Sequence, residues 1–178
     1  MTTRPGKAQL DYVSSVEFAV EKADRELGPI DPTAMRLVLT LHRVTTALVY
    51  DLESSVHRPR GWSWSGFRVL FVLWLGGPLE AKRVAELSGM SRAAVSALVN
   101  TLERDGLIEK TRADHDRRAV QLTLTAIGHD AFTGAFPAHN EREQAWAGTL
   151  SGPEQETLIG LLDKLMNGAD DIASKKRF

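Results

Sequence analysis

The chain has 178 residues, 43% of them hydrophobic and 25% charged, with a formal net charge of −1 and no cysteine. A chain of this length buries roughly 70% of its unfolded surface and needs no covalent staple. Without cysteine it has no disulfide, thiolate metal site or cysteine-based oxidant sensor, which is compatible with a cytoplasmic location. A balance this close to neutral excludes any case for nucleic-acid binding from bulk charge, so such a reading must rest on motif and placement.

Residues 1–9 are polar, and no N-terminal run resembles a signal peptide. The longest apolar stretch, residues 69–75, is far short of the roughly 20 that span a bilayer, so no membrane partner is expected. Residues 10–27 read as a helix with a ragged apolar face of Val13, Val16, Phe18, Val20, Ala23 and Leu27, stopped by Gly28-Pro29. Asp31 followed by Pro32 is a helix start, a capping acid and then proline in the first turn. Met35, Val38, Leu41, Val44, Leu48, Leu52 and Val56 keep a helical period until His57-Arg58-Pro59-Arg60-Gly61 breaks it. A helix so long and amphipathic needs something to pack on. Ser63 is the expected cap of a helix through Leu75 that is apolar nearly all round and so should be buried.

Residues 79–125 are the most informative. Residues 81–87 predict a short helix, Gly89 a left-handed turn, and Ser91 the cap of a second helix. That helix sets Val95, Leu98, Val99 and Leu102 at i, i+3, i+4, i+7, a single buried stripe. Its opposite face carries Arg92, Ala93, Ser96, Ala97 and Asn100, small or hydrogen-bonding residues with no acid among them. Small residues permit close approach to a DNA major groove, and Arg and Asn offer donors suited to guanine and adenine. Gly106 ends the helix. Residues 107–112 and 119–124 predict two strands joined by the charged tip Ala113-Asp114-His115-Asp116-Arg117-Arg118. The expected fold is mainly α with a small β-hairpin wing, a winged helix-turn-helix. Thr125 then caps a helix to about Gly148 with Pro137 inside, and Ser151-Gly-Pro-Glu154 is a capping box opening a last helix. The stripe of that last helix, Leu158, Leu161, Leu162, Leu165 and Ile172, is most simply a dimer interface.

The run SRAAVSALVNTLERDGLI, the wing DHDRRAVQLTLT and the following AIG resemble the MarR-type transcriptional regulators, with gapless similarity over about residues 62–128. The resemblance implies a winged helix-turn-helix at residues 62–125, flanked by dimerisation helices in residues 1–61 and 126–178. It implies a homodimer on double-stranded DNA, a pseudo-palindromic site with half-sites about 10 base pairs apart, and repression relieved by a small ligand. Arg117 is the wing residue it would insert into the minor groove. In the family the position of Ala97 is commonly arginine, so this chain departs there.

The candidate DNA-binding residues are thus Ser91, Arg92, Ala93, Ser96, Ala97, Asn100, His115, Arg117 and Arg118. Arg118 reads more simply as an ion-pair partner of Asp114 or Asp116. Trp62 and Trp64, near His57 and Arg58, could line a cleft for a small aromatic or anionic ligand; the plainer reading is that the tryptophans pack the helix start. His42, His57, His129 and His139 are scattered without ligand spacing, each to be expected satisfied in the core or on the surface. Asp114-His115-Asp116 cannot readily converge on one ion. No hydrolase elbow, phosphate loop or nucleotide fingerprint is present, so neither an enzyme nor a cofactor is expected. The alternative to a DNA reader is a helical protein-interaction module on the same fold.

Overall fold

A computed structural model describes residues 15–112 and 120–172. The chain divides into two units, Met1–Tyr50 and Asp51–Phe178. In the first, helix α1 (Ser15–Glu26) buries Val16, Val20 and Ala23, an i, i+4, i+7 stripe, while Phe18 and Leu27 stay exposed. Helix α2 (Pro32–Leu52) opens as its sequence predicts: Asp31 Oδ1 accepts from the amides of Thr33 and Ala34 at 3.0 and 2.9 Å. Arg36 of α2 donates both Nε and Nη2 to Glu17 of α1, at 2.7 and 2.9 Å.

The helical period that runs on to Val56 is not one α-helix. After Leu52 the chain widens into a π turn, Glu53–His57, closed by the Arg58 amide on Glu53 O, and then tightens to a 3-10 turn, Arg58–Arg60. The extra residue of a π turn rotates the chain beyond it. Leu52 and Val56 both stay buried, and His57 is turned inward as well. Gly61, at φ 79°, ends the segment. The Glu53 carboxylate then ties it to the next helix, accepting from the Trp64 amide at 2.7 Å and from Arg58 at 2.8 Å.

Helix α3 (Trp64–Gly76) is capped by Ser63 Oγ, which accepts from the Gly66 amide at 3.0 Å. Its central residues from Phe67 to Leu73 supply much of the core, whereas Trp74 and Leu75 at its end are exposed. A two-residue strand β1 (Leu79–Glu80) comes next, too short for alternation to show in sequence. The winged-helix core is completed by α4 (Ala81–Ser88), α5 (Arg92–Arg104), β2 (Ile108–Arg112) and β3 (Val120–Leu124). The sheet therefore has three antiparallel strands in the order β1-β3-β2, not a bare hairpin, with Leu79 and Lys110 on either side of Leu122. Val84, Val95, Val99, Leu102, Ile108 and Leu122 meet the α3 residues in a single cluster.

Helix α6 (Ala126–Ala147) continues through Pro137, and Phe132 and Ala135 close the core from above. Thr125 caps it, Oγ1 accepting from the Gly128 amide at 2.9 Å and donating to Gly106 O at 2.7 Å. Helix α7 (Gly152–Ile172) begins after Ser151, whose amide and hydroxyl both donate to Glu154, at 2.8 and 2.7 Å. Its stripe is left uncovered: Leu161 is 56% exposed and Ile172 84%. No described helix is long and apolar enough to cross a membrane.

Candidate nucleic-acid interface

Helix α5 is held from behind and open in front. Val95, Val99 and Leu102 are buried, with Leu98 packed at the edge of the same cluster. Ser91 Oγ accepts from the Ala94 amide at 3.2 Å, so the first turn is capped by a side chain that also stands on the exposed face. Arg92, Ala93, Ser96, Ala97 and Asn100 are all exposed. Among the described residues Arg92 has no hydrogen-bonding or ionic partner, so its guanidinium is available to an external acceptor. Beside it lies a groove of about 580 Å³ lined by Lys82, Glu86, Gly89, Met90, Ser91 and Arg92. Gly89, at φ 63°, makes the turn that sets α4 across the start of α5.

At the other end of this face the structure adds two residues that sequence reasoning passed over. Lys110 Nζ lies 3.2 Å from Asn100 Oδ1 and 2.6 Å from Glu103 Oε2. The strand alternation holds the signal for Lys110: it shares a face of β2 with buried Ile108, and that face looks toward α5. His115, Arg117 and Arg118 of the wing lie outside the described residues.

The three residues considered for a ligand do not share one cavity wall. Trp62 belongs to the core at 6% exposure and edges a groove with Arg60, Asp105 and Leu107. Trp64, two residues on, faces a different cavity of about 400 Å³, together with Arg68, Phe71, Phe136, His139 and Glu143. His57 has no exposed surface and lies behind that cavity, stacked on Phe67 at 4.3 Å and Trp64 at 5.6 Å between ring centroids.

The histidines are less scattered than the sequence implies. His42 and His129 are on the surface. His57 Nε2 and His139 Nδ1, however, lie 3.2 Å apart in the interior, and His139 Nε2 lies 3.1 Å from Glu143 Oε1. Glu143 is an acceptor, so His139 carries its proton on Nε2 and accepts at Nδ1 from His57 Nε2–H. That leaves His57 Nδ1 as a buried lone pair without a partner among the described residues. Burial and the neighbouring His139 push the His57 pKa down to about 4, against a smaller opposing pull from Glu53. A separate network fastens α6 to the end of α2: Asp51 Oδ2 accepts from Arg142 at 2.8 Å and from Trp146 Nε1 at 2.8 Å. Those donors hold the Asp51 carboxyl below its ordinary range, Trp146 contributing most. Among the described residues no three metal-ligating side chains converge.

Comparison with known proteins bears on this geometry. A family model described as "MarR family" matches residues 63–119. An HTH-type transcriptional regulator of Bacillus subtilis, YwaE, is 33% identical over 132 residues, covering 74% of this chain and 77% of that protein. Among solved structures, the PcaV transcriptional regulator of Streptomyces coelicolor in complex with its natural ligand has a TM-score of 0.69 at 22% identity, covering 80% of this chain and 99% of that one. A mutant of MarR from E. coli complexed with operator DNA has a TM-score of 0.70 at 19% identity, covering 78% and 99%. These matches leave the protein-interaction module without support. A regulator this similar over three-quarters of both chains, on a fold that turns the small, basic face of α5 outward, makes the chain a member of the MarR family of DNA-binding transcriptional regulators.

Proposed function

We propose that the chain is a cytoplasmic homodimeric repressor that binds a pseudo-palindromic DNA site, laying α5 in the major groove and the β2–β3 wing against the adjacent minor groove. Ser91, Arg92, Ala93, Ser96, Ala97 and Asn100 form the helix contact, and His115, Arg117 and Arg118 the wing contact. Residues 62–125 act as the reading head, and the helices of residues 1–61 and 126–178 join two heads. The observation that carries this reading is α5 itself, buried on one side by Val95, Val99 and Leu102 and free of bulky apolar groups on the other. The operator complex of the MarR mutant supports it by fold. The uncovered stripe of α7 supports doubling, since Leu158, Leu161 and Leu165 are apolar and exposed in the single chain.

Relief by a small aromatic or anionic ligand belongs to the same proposal. The cavity between Trp64, Phe71, Phe136, Arg68 and His139 offers aromatic walls and a cation, with the Glu143 carboxylate also in its lining. Moving a dimer from almost wholly bound to almost wholly free demands about 5.5 kcal/mol of differential affinity between its two states.

The test is a mobility-shift titration with the DNA upstream of the protein's own gene. A shift that survives unrelated competitor DNA and yields to specific competitor is expected, with one dimer per site by light scattering. Equal competition by both DNAs would reject sequence reading, and a monomeric complex would reject the doubling.

A further inference from the structure

Asn100 is not a free carboxamide, and this limits what the helix can read there, on the proposal above that α5 occupies the major groove. Lys110 sets its ammonium 3.2 Å from Asn100 Oδ1. An ammonium carries donors only, so the amide atom facing it must be the carbonyl oxygen; the flipped amide would set donor against donor. This fixes the orientation of the Asn100 amide: Oδ1 is engaged by Lys110, and Nδ2 is left to donate. The same ammonium lies 2.6 Å from Glu103 Oε2, one turn further along α5. It thereby neutralises a carboxylate at the edge of the exposed face that would otherwise repel phosphate.

A free asparagine reads adenine with both ends of its amide, accepting from N6 and donating to N7. Here one lone pair of the accepting oxygen is taken by a cation, and an adenine amino group using the other would approach beside the positive charge of Lys110. The corresponding edge of guanine has only acceptors, N7 and O6. Two kinds of donor are available for them. One is Asn100 Nδ2; the other is the ammonium N–H that neither Asn100 nor Glu103 takes up. We propose that Lys110 is a specificity-determining positioning residue: it makes the Asn100 end of the recognition helix a donor-rich, positively charged front that favours guanine over adenine at the base pair beneath it.

The cluster is suited to a clean test because it does little for the fold. Lys110 and Glu103 are 37% and 40% exposed, and an ion pair of that exposure contributes little to stability. The full chain, as wild type, Lys110→Met and Asn100→Ala, is titrated against the operator and all its single base-pair substitutions. The pair whose preference the Asn100→Ala protein loses is the one beneath Asn100. Wild type is expected to prefer guanine there by about tenfold, the discrimination of one good base contact. Lys110→Met is expected to erase that preference or turn it toward adenine. The readout is a ratio between two DNAs for one protein, which a general loss of charge or stability does not move. If Lys110→Met keeps the wild-type order while Asn100→Ala flattens it, Asn100 reads DNA without help and the proposal fails alone. If Asn100→Ala changes neither affinity nor order, the contact of Asn100 with DNA fails and takes the proposal with it.

Discussion

Acid should unfold this protein through His57. The unfolded chain carries His57 with an ordinary pKa of 6.5, and the folded chain holds it at about 4. Between those values the unfolded state binds more protons, so stability must rise with pH across the window. It is fully present above about pH 6.5 and is lost as pH falls toward about 4. The full shift corresponds to about 3 kcal/mol, and linkage leaves about 2 kcal/mol of loss already at pH 5. The structural cause is specific. A second proton on His57 must sit on Nδ1, which is buried without a partner, and one placed on His139 Nδ1 instead would set two donors face to face across 3.2 Å. Urea unfolding followed by far-UV circular dichroism reads the loss, which amounts to a midpoint lower by about 1 M at a slope of about 2 kcal/mol per molar. The lowered carboxyl of Asp51 also contributes to acid lability, but at lower pH and equally in a His57→Phe variant; that of Glu53, which His57 helps to lower, likewise acts only at lower pH. The difference between wild type and His57→Phe isolates the histidine. If that difference stays constant from about pH 7.5 to about pH 4.5, His57 is not the proton-linked group and the reasoning is wrong.

Gly128→Ala should be among the most damaging single-methyl changes available, because its Cβ would stand 1.8 Å from Leu107 O, a backbone atom that cannot step aside. A loss of about 3 kcal/mol or more is expected in thermal or urea unfolding; a stability equal to wild type would mean that α6 moves freely over that turn. Leu161→Glu together with Leu165→Glu places two carboxylates on the uncovered stripe of α7 and should yield monomers in light scattering without loss of helix content, whereas an unchanged mass would exclude α7 from the dimer contact. Arg92→Ala should weaken operator binding by about 1–3 kcal/mol while leaving unfolding unchanged. Arg117→Ala should cost a similar amount and flatten the dependence of log affinity on log salt by about one unit; the same slope as wild type would remove that arginine from the phosphate or groove contacts.

The sequence could show whatever is written locally. Ser63, Ser91 and Thr125 each precede a helix and each cap it, because a hydroxyl one residue before a helical period has one dominant geometry. The α5 stripe was legible for the same reason, as periodicity alone decides which side of a helix is buried. Contacts between distant segments were not legible. His57 and His139 are 82 residues apart, and Asp51 and Trp146 are 95 apart, so no spacing rule brings them to notice. Strand β1 has two residues and no pattern of its own; only its pairing with β3 defines it. The π turn hid within a helical period that ran unbroken to Val56. Trp62 and Trp64 left two readings open, a shared cleft or packing at the helix start; they flank the cap of α3, where the chain changes direction, and edge different cavities.

The Thr125 junction has a mechanical consequence. Its hydroxyl joins Gly106 O to the Gly128 amide, its own amide donates to Leu107 O at 3.1 Å, and Gly128 presses α6 against that same backbone. The base of α6 and the exit from α5 are thus joined by two hydrogen bonds from Thr125 and by the close approach of Gly128 to the Leu107 backbone. The compliant point of α6 lies higher, at Pro137, which has no N–H to give Thr133 O. A force applied above Pro137, where His139, Arg142 and Trp146 are anchored, must either flex the helix there or turn its base. Any turn of the base would therefore be shared with the exit from α5 through the Thr125 and Gly128 contacts, and Pro137 is the point where the helix can flex before it arrives.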